Sequence, residues 1–253
     1  VQKQITMLSI IFLVLTVIVS LSIDSSGVIE NLFRFDMFTR FFLLFAVCAA
    51  GLTIILASQS REIAARRFPE FAALLLTIVI GISLMAAAED LIVAYLGMET
   101  VSLASYILTG FKKTHRSSHE AALKYVIFGG VASGIMVFGM SLLYGLAGTT
   151  SFSGIALILS DSSSILQAGA GTVTLLAIVV ALFMVFTGIF FKIAAVPFHM
   201  WCPDVYQGAP TPFTGFLSVA PKAAGFALLL RFVSILLPQA NVELKTSLLA
   251  ILG

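Results

Sequence analysis

The chain of 253 residues is too apolar for a water-soluble domain, since 60% of its residues are hydrophobic and only 10% are charged. A soluble domain carries about 25% charged residues. The net charge of +2 is too small to favour a nucleic-acid partner, and the two cysteines, Cys48 and Cys202, do not indicate a disulfide framework. The composition predicts an integral membrane protein that lies in the lipid bilayer.

Seven apolar segments approach or exceed the roughly 20 helical residues that cross ~30 Å of hydrocarbon, and an eighth is partial. They do not alternate in polarity as barrel strands do, so we predict helices, whose backbone polar groups are paired internally. The segments are Ile5–Ile23, Met37–Ser58, Phe71–Ala88, Leu91–Phe111, Glu120–Ala147, Gly171–Val196, Pro212–Leu237 and a partial one from Thr246. We therefore expect an all-α integral membrane protein, a multi-helix bundle that forms a single domain over residues 1–253.

Basic residues indicate how the bundle is oriented. Three arginines fall in residues 61–70, and two lysines and an arginine fall in residues 112–119, with two predicted spans between the two groups. The loops that must lie on the other side, residues 24–36, 89–90 and 148–170, contain little lysine or arginine beyond Arg34. The positive-inside rule places residues 61–70 and 112–119 in the cytoplasm or its equivalent. The short apolar stretch Ile155–Leu159 predicts an interfacial helix on the outer side.

Glu99 is a charged residue near the middle of the span Leu91–Phe111. Such a group costs about 2.5–3.5 kcal/mol at the helix centre. Tyr95, Ser102 and Tyr106 follow helical spacing from it and share its face, which favours a site that faces other helices. The alternatives are a protonated glutamate and a fixed ion pair between helices.

Lys192 follows more than twenty largely apolar residues and precedes Pro197 by five. Proline removes a backbone donor and clashes with the carbonyl four residues before it, so we expect the helix to break just after Lys192. Irregular backbone at membrane depth requires protein or water around it, and a lysine beside such a break is typical of a transport site. The alternative is a lysine whose ammonium reaches the surface from a helix end.

Three further residues are candidates with stronger alternatives. Lys222 is central in Pro212–Leu237 and follows Pro221, whose freed carbonyls are an alternative partner for it. Lys124 is about one turn inside its span, where reaching back to the surface is an equal alternative. His199, in the broken region, is a candidate proton relay or a structural histidine. Separately, Gly130-x-x-x-Gly134 predicts a close contact between helices.

The stretch from Val196 to Pro212, VPFHMWCPDVYQGAPTP, resembles the signature of subunit N of proton-pumping NADH:quinone oxidoreductase (respiratory complex I). The motifs Leu96–Glu99, Ala121–Tyr125 and Ser218–Lys222 match the same pattern in the same order. The similarity covers essentially the whole chain. In the related cation/proton antiporters the sequence at the place of Asp204–Pro210 usually differs, so this run argues against a stand-alone antiporter.

The resemblance implies an antiporter-like fold of about fourteen helices with two inverted repeats, each containing one broken helix. It further implies that Glu99, Lys192, Lys222 and Lys124 relay protons, driven by quinone reduction elsewhere in the complex. By the same resemblance this chain has no cofactor. NADH, FMN, iron–sulfur clusters and quinone belong to other subunits, and the partners are the other membrane subunits, including sister antiporter-like ones.

Only the first repeat of the implied fold is visible in the sequence, so we expect a fragment that lacks the family's first helix and second repeat. The expected location is the bacterial cytoplasmic membrane, with an organelle inner or thylakoid membrane as the alternative. The alternative functions are a cation/proton antiporter subunit, a hydrogenase-type or plastid-type relative with another electron donor, and a structural scaffold.

Overall fold

The computed structural model describes residues 2–23, 27–160, 171–240, 245–246 and 249–251. In this part of the chain the elements are helices apart from one short hairpin. They are α1 (Gln2–Ser22), β1 (Gly27–Ile29), β2 (Phe33–Phe35), α2 (Met37–Gln59), a 3₁₀ turn (Ala65–Arg67), α3 (Phe68–Ala87), α4 (Leu91–Thr109), α5 (Arg116–Ala147), α6 (Phe152–Ser160), α7 (Gly171–Ile193), α8 (Cys202–Gly208) and α9 (Thr211–Gln239).

Seven helices of the described chain are long and apolar enough to cross a membrane, namely α1, α2, α3 with its 3₁₀ turn, α4, α5, α7 and α9. They confirm seven of the eight predicted spans and the all-α membrane fold. The eighth, from Thr246, falls in a stretch of which only residues 245–246 and 249–251 are described. The predicted interfacial segment is the helix α6, whose Phe152 is fully buried against Phe232 of α9.

The two ends of the bundle differ in charge as the sequence predicts. The loop before α3 and the loop after α4 meet at one end, where Arg61, Arg66, Lys112 and Lys113 line one cavity of about 470 Å³. At the other end, the loop after α1 and the loop after α5 both join the α3–α4 turn through the backbone bridges Phe33–Ala88 and Asp90–Ser151. The basic loops therefore lie on one side of the bundle.

Helix α7 ends inside the bundle at Ile193, which confirms the predicted break. The Ala195 N–H donates to the Phe190 carbonyl at 2.9 Å, and the Ala194 N–H donates to the Phe191 carbonyl at 3.2 Å. These two bonds form a Schellman ending, in which the residue after the helix takes a left-handed conformation. That residue is Ala194, with φ of 59°, a conformation that glycine adopts without a steric penalty.

This ending generates a stability prediction at Ala194. A side chain in the left-handed region costs roughly 1–2 kcal/mol, and branching at Cβ adds to that cost. We expect Ala194→Gly, which removes this cost, to leave the free energy of unfolding unchanged or raise it by up to about 1–2 kcal/mol, and Ala194→Val to lower it. Thermal unfolding of the protein in detergent measures both variants. A glycine variant less stable than the valine variant would contradict the described ending.

Candidate functional site

Lys192 lies in the last turn of α7 with only 2% of its surface exposed. Its Nζ donates to the Ser102 hydroxyl of α4 at 3.1 Å. The partial negative charge at a helix C-terminus favours a cation in this position. Helix α9 passes close by at Gly225, where a Cβ atom would lie 2.5 Å from Ile193 Cγ2 and 3.5 Å from Lys192 Cβ. The lysine is thus held where α4, α7 and α9 meet.

Glu99 stands one helical turn before Ser102 on the same face of α4, as predicted. Its Oε1 atom is buried, and no group in the described chain hydrogen-bonds to it. No ion-pair contact within 4.0 Å joins Glu99 to Lys192 among the described residues, although the carboxylate acts electrostatically on the lysine. Ser102 therefore contacts the ammonium directly, while Glu99 influences it from farther away.

Tyr95 and Tyr106, the other residues that share the predicted Glu99 face of α4, both contact side chains of α5. The Tyr95 hydroxyl is 3.3 Å from the Ser133 hydroxyl of α5. Tyr106 is buried and meets Tyr125 of α5 edge to face, with ring centroids 4.7 Å apart. The structure thus places Glu99, Ser102 and Tyr106 along one face of α4, where Ser102 contacts Lys192.

Lys222 is half-buried in α9, and its Nζ lies 5.4 Å from the centre of the Tyr206 ring. The helix continues through Pro221, so the proline does not end it. Lys222 does not touch Lys192 in the described structure, but it stands one turn before Gly225, which packs against α7 at Lys192.

Lys124 and His199 lie nearer the surface. Lys124 Nζ is 2.6 Å from Asp204 of α8 and 2.8 Å from Glu120, and 39% of its side chain is exposed. This geometry is that of the alternative in which the Lys124 ammonium reaches back to the membrane surface. The ion pair with Asp204 also joins α8 to α5. His199 is exposed in the turn between α7 and α8, and no hydrogen bond of its ring is present among the described residues. Neither residue is brought into contact with Lys192.

Within the described chain, no group of three or more His, Cys, Asp or Glu side chains is arranged to hold a metal ion. Polar side chains at the site offer hydroxyl, carboxylate and ammonium groups. These groups can hold, donate and accept protons.

Comparison with known proteins identifies the family. Residues 88–253 match the family described as "NADH:quinone oxidoreductase/Mrp antiporter, TM". The chain belongs to this family. The matched residues include Glu99, Lys124, Lys192, His199 and Lys222.

Individual proteins that resemble this chain are consistent with this family membership. NADH-quinone oxidoreductase subunit N of Anaeromyxobacter sp. (strain Fw109-5) is 51% identical over 211 residues, covering 82% of this chain and 40% of that protein. NAD(P)H-quinone oxidoreductase subunit 2 of Thermosynechococcus vestitus is 45% identical over 213 residues, covering 83% and 39%. A chain of respiratory complex I from Thermus thermophilus superimposes with a TM-score of 0.72 at 30% identity, covering 91% and 48%. The chain spans about 40% of the length of the curated relatives it matches.

Arg231 is a buried charge that sequence reasoning missed in this family member. It lies in α9 with 6% of its surface exposed. Its guanidinium donates two hydrogen bonds to the Asp36 carboxylate, at 2.7 Å and 2.9 Å. It also donates to the Thr39 hydroxyl at 2.8 Å and, through two nitrogens, to the Ala86 carbonyl at 3.0 Å and 2.8 Å. Glu89, which is 2.5 Å from Arg34, lies 3.6 Å from the same guanidinium.

The Arg231 cluster joins the outer ends of α2, α3 and α9. Its signal in the sequence is a lone arginine near the end of an apolar span, which also fits a residue at the membrane surface. Partial burial alone would raise the pKa of Asp36, but the hydrogen bonds from Arg231 and from the Thr39 N–H outweigh it and lower the pKa to about 2.

This pairing predicts an acid-sensitive contribution to stability. Because the pKa of Asp36 is lowered from 3.8 to about 2, its stabilisation is complete at neutral pH and is lost as the pH falls from about 4 towards 2. We expect Asp36→Asn to lower the free energy of unfolding by about 1–3 kcal/mol at neutral pH, as for a lost charged hydrogen bond, and to weaken the acid dependence in that window.

Thermal unfolding in detergent between pH 2 and pH 7 measures both effects. Glu30→Gln is the matched control, since Glu30 is exposed in the same loop. Equal unfolding temperatures for the two variants at neutral pH would show that the Asp36–Arg231 pair does not stabilise the fold.

Proposed function

We propose that this chain is part of a proton-translocating, antiporter-like membrane subunit of NADH:quinone oxidoreductase. The observation that carries the proposal is Lys192, a lysine buried at a helix break inside the bundle, with a single described hydrogen bond and with Glu99 nearby but not in ion-pair contact. A lysine that is incompletely paired can release and regain a proton when a neighbouring charge changes. The family membership and the relatives named NADH-quinone oxidoreductase subunit N support the same function.

In the proposed complex, the cofactors and quinone belong to other subunits. We propose that NADH, FMN, iron–sulfur clusters and quinone are bound by other subunits, and that quinone reduction there drives proton movement through Glu99, Lys192 and Lys222. Lys124 and His199 remain proposed accessory relay residues towards the basic side. Partner subunits include sister antiporter-like chains. The proposed location is the bacterial cytoplasmic membrane, with an organelle inner or thylakoid membrane as the alternative.

The second candidate function is cation/proton antiport without NADH, because the family description also names the Mrp antiporter. The two functions differ in their driving force. An antiporter moves protons in response to a cation gradient, whereas the subunit of an oxidoreductase moves them only when NADH is oxidised.

Two substitutions at Lys192 test the proposed function in the assembled complex. Lys192→Ala removes the titrating group, and Lys192→Arg keeps a positive charge that does not release its proton. We expect both variants to assemble and to lower NADH-driven proton uptake at least about tenfold, since positioned proton-transfer groups contribute about 10²–10⁴ in rate. Proton uptake by membrane vesicles, NADH oxidation and complex assembly are measured in parallel.

Lys113→Ala is the control, because Lys113 is exposed in the basic loop. Normal pumping by Lys192→Arg would show that Lys192 serves only as a fixed charge. Proton flux that follows a cation gradient and ignores NADH would establish the antiporter instead.

A further inference from the structure

Two tyrosines near the helix break bury hydroxyls that have weak polar partners or none in the described chain. Tyr125 of α5 is fully buried, and its hydroxyl makes no hydrogen bond to any described group. The hydroxyl of Tyr206 in α8 is also buried, and its described polar neighbour is the thiol of Cys202, a weak hydrogen-bonding group. Buried polar groups are nearly always paired, and a phenylalanine would fill either position without leaving a hydroxyl unpaired. The hydroxyls therefore need an explanation that packing does not provide.

On one side, the tyrosines approach Lys192. Ser102, which accepts from Lys192, interacts through its hydroxyl with Tyr106 one turn later in α4. Tyr106 in turn meets Tyr125 edge to face. The Tyr106 phenol occupies space beside Gly129, where a Cβ atom would lie 1.8 Å from its oxygen. Only glycine at position 129 leaves room for the Tyr106 hydroxyl between α4 and α5.

On the other side, the tyrosines approach Lys222. The Lys222 Nζ lies 5.4 Å from the centre of the Tyr206 ring, and Cys202, one turn before Tyr206 in α8, interacts with its phenol. The Tyr125 phenol acts electrostatically on both Tyr206 and Cys202. Tyr206 thus contacts the Lys222 ammonium, and Trp201 contacts the rings of both Tyr125 and Tyr206.

Trp201 fixes the relative position of the two sides. Its ring stacks on the Tyr125 ring with centroids 4.5 Å apart and an interplanar angle of 11°. It meets the Tyr206 ring edge to face, with centroids 6.1 Å apart. Its Nε1 donates at 3.2 Å to the carbonyl of Phe191, the residue directly before Lys192. One buried indole therefore orients Tyr125 and Tyr206 with respect to the end of α7.

We infer that the hydroxyls of Tyr106, Tyr125 and Tyr206, bridged by water molecules, form a proton path between Lys192 and Lys222. A hydroxyl both accepts and donates a hydrogen bond, so each phenol takes a proton on its oxygen and passes its own to the next acceptor. The transfer begins with Lys192 as the ammonium and Lys222 as the neutral amine, and it ends with Lys192 neutral and Lys222 as the ammonium. The phenols are unchanged, and no electron moves. This inference rests on the proposed function and adds the route inside it.

Tyr125→Phe in the assembled complex tests the path, because it removes the hydroxyl and keeps the ring stacked on Trp201. We expect assembly to be unchanged and NADH-driven proton uptake to fall at least about fivefold, as for the loss of a proton-transfer group. Tyr144→Phe is the matched control, a tyrosine of the same helix that is 53% exposed, and it should pump as the unmodified complex does. Proton uptake and NADH oxidation in vesicles are measured for all variants.

The results separate this inference from the proposed function. Wild-type pumping by Tyr125→Phe, together with the loss of pumping in Lys192→Arg, would overturn the tyrosine path and leave the proposed function standing. Normal pumping by both variants would overturn the proposed function itself. If Tyr125→Phe prevents assembly, Tyr206→Phe at the other end of the path decides: pumping reduced at least about fivefold supports the path, and wild-type pumping overturns it.

Discussion

The end of α7 inside the bundle is the constraint on which the site depends. Backbone groups exposed at membrane depth must find partners, and here the Phe190 and Phe191 carbonyls accept from Ala195, Ala194 and Trp201. This ending places Lys192 in the last helical turn, where the helix C-terminus favours its charge. It also lets the chain turn back as α8 beside α5, which brings Trp201 and Tyr206 to the same level of the bundle.

Two buried cations of this chain show opposite degrees of pairing. Arg231 directs its donors to Asp36, Thr39 and Ala86. Lys192 makes one described hydrogen bond, to Ser102, although an ammonium has three donors. A fully paired arginine resists movement and suits an anchor between helices. A lysine with unused donors and a carboxylate at a distance suits a group that changes protonation. Pairing therefore distinguishes Arg231 from Lys192, the proposed proton-relay residue, better than burial does.

Hydropathy, charge asymmetry and Pro197 were sufficient to predict the helices, the two sides of the bundle and the break after Lys192, because each is a local property of the chain. Contacts between helices were not predictable in this way. Gly130 and Gly134, which the spacing rule selects, have no described neighbour within 4 Å of an added Cβ, so the described chain shows no close helix contact at this motif. Gly97 and Gly139, outside that motif, are the closely packed glycines: a Cβ atom added there would lie 2.9 Å from Met85 N and 2.6 Å from Met184 Cβ, respectively. The Arg231 cluster joins residues 195 positions apart, which no local pattern indicates.

The attachment of α8 follows from comparing its two sets of contacts. The ion pairs of Lys124 with Asp204 and Glu120 are exposed, and exposed ion pairs contribute little because water and salt screen them. Trp201, by contrast, is 2% exposed and contacts the rings of Tyr125, Phe191 and Tyr206, and each aromatic pair adds about 0.5–1.5 kcal/mol beyond the area it buries. The aromatic contacts therefore fix α8 more firmly than the surface charges do. The same contacts orient the phenol hydroxyls, so the packing that holds the broken helix together also sets the spacing of the proposed proton path.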